Sequence, residues 1–134
     1  MKMEIFFEDG KKVNARYGNI VIKTDQPVES GGEGLAPAPF DLFLASIGTC
    51  AGIYVKSFCE KRSIPTDDIK ITQSVSYNFE KRLVGKITLD ISLPDSFPAK
   101  YKDAVINAAN LCAVKKHLLD PPEIEVNAVI AEMV

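Results

Sequence analysis

The sequence predicts an α+β domain in which antiparallel sheet surrounds a long, buried central helix, in the order β-β-β-α-β-β-α-α-β. Three observations carry that expectation. Short alternating apolar runs fill residues 1–24 and return over 69–93, as half-buried strands do. A nearly charge-free helical pattern runs from Pro39 to about Arg62. Strands fall in groups and do not alternate with helices, which favours antiparallel pairing over a doubly wound sheet. At 134 residues the chain reads as one domain, 1–134, able to bury a core without metal or disulfide staples. A composition of 46% hydrophobic and 25% charged residues is ordinary for a globular protein and excludes a disordered one.

At the N-terminus, Ile5-Phe6-Phe7 runs into Asp9-Gly10, a hairpin signal. Val13, Ala15 and Tyr17 then alternate, Gly18-Asn19 marks a second turn, and Ile20-Val21-Ile22 closes a small meander. Residues 25–38 read as a flexible connection rich in Gly and Pro. The Gly31-Gly32-Glu33-Gly34 run lacks the strand and helix spacing of a phosphate-binding loop. Pro39 suits a first helical turn. The helix it opens is about 24 residues, or roughly 36 Å, long. Its first half is apolar nearly all round and so should be central and buried. The uncharged stretch Leu42 to Val55 covers about 14 residues, short of the roughly 20 that a membrane span needs.

Residues 69–79 and 83–93 alternate as two long strands, each with one face buried, joined at Glu80-Lys81-Arg82. Asp95 or Ser96 can cap a helix near Pro98. Tyr101, Val105, Ala108, Ala109 and Cys112 then keep helical spacing, and a second helical piece runs from about Cys112 to Leu119. Ile124, Val126, Ala128 and Ile130 alternate as a final strand.

A net charge of −2 offers no basic face for nucleic acid. Three cysteines are odd in number and too few for a secreted disulfide scaffold, so they read as thiols of a reducing cytoplasm. Met1-Lys2-Met3-Glu4 has no basic run followed by an apolar stretch, so no targeting segment and no membrane association are expected. With one histidine, His117, and no Cys-x-x-Cys, neither a metal nor a cofactor site is expected. His117 reads as a surface residue, with an acid–base role as the alternative.

Cys50 is the uncommon feature. It sits in mid-helix among Ser46, Gly48, Thr49, Ala51 and Gly52, small residues that let a substrate or backbone come close. A packed core thiol and a nucleophile are both open readings. Cys112, at a junction between helical pieces, could form a redox pair with it if the fold brings them together. Cys59 lies on the same helix on the opposite side from Cys50, roughly 13 Å along the axis. It cannot bridge to Cys50 within the helix and reads as structural.

The run Pro39-Phe40-Asp41-Leu42-Phe43-Leu44-Ala45-Ser46-Ile47-Gly48-Thr49-Cys50 resembles the first cysteine motif of the OsmC/Ohr family, the osmotically inducible and organic hydroperoxide resistance proteins. Cys112-Ala113-Val114, followed by Leu118, is similar to the second motif, and Ser30 to Pro39 resembles the family's approach to the central helix. The resemblance implies an OsmC-like fold in an intertwined homodimer with active sites at the dimer interface. It implies a cysteine-dependent peroxidase acting on small organic hydroperoxides. Cys50 would attack the peroxide, Cys112 would resolve the sulfenic acid, and an external dithiol would reduce the disulfide. Arg16 is the candidate for the family's thiolate-stabilising arginine. Phe40, Phe43, Ile47 and Tyr54 would line an apolar passage. Where the hydroperoxidase branch has glutamate, ten residues before the first cysteine, this chain has Phe40. Asp41, one residue later, is the possible acid partner, or only an N-terminal partner of the helix dipole. The missing glutamate leaves a second reading: a non-catalytic OsmC-like dimer that binds a small apolar ligand near Cys50. A third is an inert dimeric partner protein with packed cysteines.

Overall fold

A computed structural model describes residues 1–131. The fold is α+β, with two antiparallel sheets and three α-helices among the described residues. By its internal contacts the chain divides into two compact units, Met1–Thr49 and the part from Cys50 onward.

The first unit opens with a meander of β1 (Glu4–Phe7), β2 (Val13–Tyr17) and β3 (Ile20–Ile22). The expected glycines make its turns. Gly10 (φ 63°) and Gly18 (φ 54°) take the left-handed backbone that tight hairpin loops require. Behind the meander, Asn14 and Thr24 are buried and paired. The Thr24 amide donates to Asn14 Oδ1 at 3.2 Å, the Thr24 hydroxyl donates to the Val13 carbonyl, and Asn14 Nδ2 donates to Glu8 at 2.6 Å.

The Gly/Pro segment expected to be a flexible connection is instead a closed loop wrapped around Asp25, which is 1% exposed. The Asp25 carboxylate accepts amide hydrogens of Gln26 (2.7 Å), Leu35 (3.2 Å) and Glu33 (3.4 Å), and its own amide donates to the Pro37 carbonyl (3.2 Å). The glycine run follows from this closure. Gly31 and Gly34 have φ of 91° and 67°, and a Cβ on Gly32 would stand 2.0 Å from the Gln26 carbonyl oxygen. The three amides, Gln26 first, hold the Asp25 carboxyl below the usual carboxylate range against the cost of burial.

From this loop rises α1 (Pro39–Glu60), which crosses from the first unit into the second. It ends two residues before the expected Arg62. The Arg62 guanidinium caps it, donating to the Phe58 carbonyl (3.0 Å) and stacking 3.7 Å from the Phe58 ring. The expectation of burial all round is corrected. Only the stripe Ile47, Ala51, Val55 and Cys59, spaced by four, is buried, while Phe40 and Ile53 are exposed. By length and composition alone α1 could cross a bilayer. The buried stripe is the pattern of a helix packed on a core.

In the second unit β4 (Lys70–Asn78) pairs with β5 (Leu83–Ser92). The register slips between Ser76 and Tyr77, which makes Gly85 the extra residue of a bulge. The core lies at the far end of this hairpin. Val55, Cys59, Phe97 and Val105 are buried against Phe58, Ile64, Ile69, Ile71, Ile91, Leu93, Tyr101 and Ala109. The outer half is bare: Val75, Tyr77, Phe79 and Leu83 are exposed, so the expected buried face holds only for the inner half. A 3-10 turn at Ala99–Tyr101 leads into α2 (Lys102–Ala109), and α3 (Ala113–Leu119) follows. Neither Asp95 nor Ser96 caps this start, because the N-cap position falls on Pro98, beyond both of them, and no side chain caps the turn. The expected final strand is also corrected. Among the described residues no strand pairs with 121–131, and Ile124, Val126 and Ile130 stand almost fully exposed. Alternation marks a segment suited to a sheet, but a strand exists only where an edge is present to bond it.

The loop around Asp25 gives a test. Asp25→Asn at pH 7 should lower the melting temperature and speed hydrogen exchange at the Glu33 and Leu35 amides. The carboxylate's contribution is complete above the ordinary value of 3.8 and is lost as pH falls through the lower folded value. The melting gap between the two proteins should therefore close in acid. A gap undiminished at about pH 2 would show that the carboxylate is not its cause.

Candidate active site

Helical repeat places Phe40, Phe43, Ile47, Cys50 and Tyr54 on one stripe of α1, within an arc of about 80° at 100° per residue. Phe40 and Phe43 form a tilted pair with centroids 5.4 Å apart, Phe40 exposed, and Ile47 is buried. Cys50 and Tyr54 are half-buried. Asp41 falls off this stripe. Its carboxylate accepts the Ala38 amide hydrogen at 3.3 Å and so holds the first turn of the helix.

The second unit brings Cys50 and Cys112 together. Both are free thiols, Cys50 half-buried and Cys112 only 1% exposed. Cys112 is the N-cap residue of α3, with φ −49° and ψ 129°, and no side chain caps the first turn. Such a turn presents amide hydrogens without helical partners. Cys50 takes them up: its sulfur accepts hydrogen bonds from the Cys112 thiol and from the Val114 and Ala113 amides. These lower the Cys50 pKa, the Cys112 thiol most, against a smaller opposing effect of burial. Cys112 moves the other way. Burial pushes its pKa up first, and the hydrogen bond it donates to Cys50 adds to that. The amides of Lys115 and Val114 oppose this and are outweighed. Hydrogen bonding thus favours the anion on Cys50, and burial favours the neutral form of Cys112.

Cys59 is fully buried in the core, and burial raises its pKa, as its structural reading requires. Arg16, on β2 opposite Glu4, stacks 4.5 Å from the Phe6 ring and reaches Glu4 Oε1 at 4.0 Å. His117 is exposed, and its Nδ1 donates to the Ala113 carbonyl at 2.6 Å. Among the described residues no three His, Cys, Asp or Glu side chains gather as metal ligands would. Sequence reasoning missed the amides of Ala113 and Val114. The signal available was a cysteine standing directly before a helix start.

The chain belongs to the OsmC-like protein family, whose sequence profile matches residues 31–127. Solved structures agree on the fold. A Psychrobacter arcticus protein assigned to the osmotic stress and detoxification response superposes with a TM-score of 0.73 at 21% identity, covering 87% of this chain and 86% of that one. An OsmC-like protein of Mycoplasma pneumoniae gives 0.67 at 13% identity, over 90% and 87%. An organic hydroperoxide resistance protein of Elizabethkingia anophelis gives 0.59 at 18% identity, over 85% and 84%. No curated protein matches the chain.

The hydrogen bond between the thiols sets a pH profile. The rate of alkylation of Cys50 should rise with a midpoint below about 8.5, the value of a free thiol. Cys112→Ala removes the largest cause of the lowering and should move the midpoint upward. A midpoint that the substitution leaves in place would assign the lowering to the Ala113 and Val114 amides alone.

Proposed function

We propose that this protein is a cysteine-dependent peroxidase that reduces small organic hydroperoxides, working as one OsmC-like domain in a cytoplasmic, intertwined homodimer. The observation that carries this reading is the juxtaposition of Cys50 and Cys112 with pKa values displaced in opposite directions. The Cys50 thiolate attacks the outer peroxide oxygen, the O–O bond breaks, and the alkoxide leaves with a proton as alcohol. Cys50 is left as sulfenic acid. Cys112 then attacks the Cys50 sulfur and water departs, which closes a disulfide. An external dithiol returns both thiols and is itself oxidised.

Arg16 is the proposed cation at the thiolate and peroxide oxygen. Its ion pair with Glu4 is long and solvent-exposed, and so weak. Phe40, Phe43, Ile47 and Tyr54 are proposed as the apolar lining, since they share the stripe of Cys50. Asp41 keeps its role at the helix start. Support for the homodimer is the apolar surface that one chain leaves bare: Phe40 and Ile53 on α1, Tyr77 and Phe79 on the hairpin, and Ile124 to Ile130.

The aromatic pair at Phe40 and Phe43 favours the second reading, a non-catalytic dimer holding a small apolar ligand. Two measurements separate the readings. Intact mass after one equivalent of an organic hydroperoxide should show loss of two hydrogens, with the disulfide mapped to Cys50 and Cys112. A protein that keeps three free thiols while native mass spectrometry finds a carried ligand would replace the peroxidase with the binding dimer. Light scattering should give twice the chain mass, and a monomer would remove the interlocked arrangement.

A further inference from the structure

We infer that the external dithiol opens the Cys50–Cys112 disulfide by attacking the sulfur of Cys50, so that the mixed disulfide forms at Cys50 and Cys112 departs. The inference rests on the proposed redox pair and adds which of its two sulfurs meets the reductant.

Two effects oppose each other. Exchange is faster when the expelled thiol has the lower pKa. That favours attack on Cys112, which would expel Cys50, the sulfur stabilised as thiolate by the Val114 and Ala113 amides. Access favours the reverse. The attacking thiolate must approach in line with the S–S bond, from the far side of the sulfur it strikes. Cys112 is 1% exposed and sits in the tight turn between α2 and α3. That turn is held by the Cys112 amide to the Ala109 carbonyl (3.4 Å) and the Lys116 amide to the Cys112 carbonyl (3.1 Å). Cys50 is half-buried, with exposed Thr49 next to it on α1.

Access decides, because the two effects differ in kind. A poorer leaving group slows a step that still occurs. A sulfur with no open approach reacts only in molecules that have locally unfolded.

The electron count closes. One thiolate of the dithiol bonds to the Cys50 sulfur, the S–S bond breaks, and its electron pair leaves on Cys112. Cys112 takes up a proton, since burial favours its neutral form. A neutral Cys112 recloses the old disulfide slowly, which leaves time for the dithiol's second thiolate to attack its own carbon-borne sulfur in the mixed disulfide. That expels Cys50 as thiolate and releases the cyclic disulfide.

The test starts from the full chain oxidised by diamide, which makes the disulfide without any peroxide step. A brief reaction with 2-mercaptoethanol, acid quench, alkylation and peptide mapping should place the mercaptoethanol adduct on Cys50 and the alkyl group on Cys112. An adduct on Cys112 overturns the inference, as does failure of diamide to link the pair. Because exchange can move an adduct, a second measurement loads thionitrobenzoate on Cys50 in Cys112→Ala and on Cys112 in Cys50→Ala. Dithiothreitol should release it at least tenfold faster from Cys50, and equal rates or the reverse order would overturn the inference. A protein inert to hydroperoxide, whose diamide-made disulfide still opens at Cys50, would sink the peroxidase and leave this assignment standing.

Discussion

One helix has to do two jobs, and its periodicity allows both. α1 buries a stripe of Ile47, Ala51, Val55 and Cys59, four residues apart, and its last two members lie in the core of the second unit. The stripe carrying Phe40, Phe43 and Cys50 is rotated by roughly 80° from it. Cys50 therefore sits at the margin of the packed surface, with neither the full burial of Cys59 nor full exposure to solvent. A nucleophilic thiol needs that position: enough contact to be hydrogen-bonded, and enough opening to be reached.

The asymmetry of the thiol pair follows first from local hydrogen bonding and burial. α3 starts without a side-chain cap, so its first amides have no helical partner. A sulfur placed before them is favoured as an anion, and the cysteine at the N-cap position, buried by its own turn, is favoured neutral. Which of the two sulfurs is favoured as an anion is thus set by which cysteine faces the turn and which lies within it. The Asp25 loop uses the same principle in the first unit, where three amides converge on one buried carboxylate.

Much of the fold was legible because it rests on local chemistry. The hairpin glycines at 10 and 18, the helix start at Pro39, and the strands at 70–78 and 83–92 all declare themselves through backbone preference or alternation. The cysteine pair was legible as two motifs, while their contact was not, since it depends on how α3 is set against α1. The closure around Asp25 was hidden because its partners are backbone amides, which no residue type advertises. The same holds for the amides of Ala113 and Val114. Exposure misled in one consistent direction. Apolar alternation at 75–79 and 124–130 says what a segment would bury, but not whether a single chain supplies the cover.

The third thiol has a consequence of its own. Cys59 shares a helix with Cys50 but is sealed in the core, and burial holds it in its unreactive protonated form. Reagents that meet Cys50 in the folded molecule can meet Cys59 only in molecules whose core has opened. When opening and closing are fast relative to the reagent, the slow arrival of label at Cys59 counts the open population. The chain thus carries a gauge of its own integrity on the helix that holds Cys50, and damage to the fold can be told apart from modification of the folded molecule by which sulfur bears the mark.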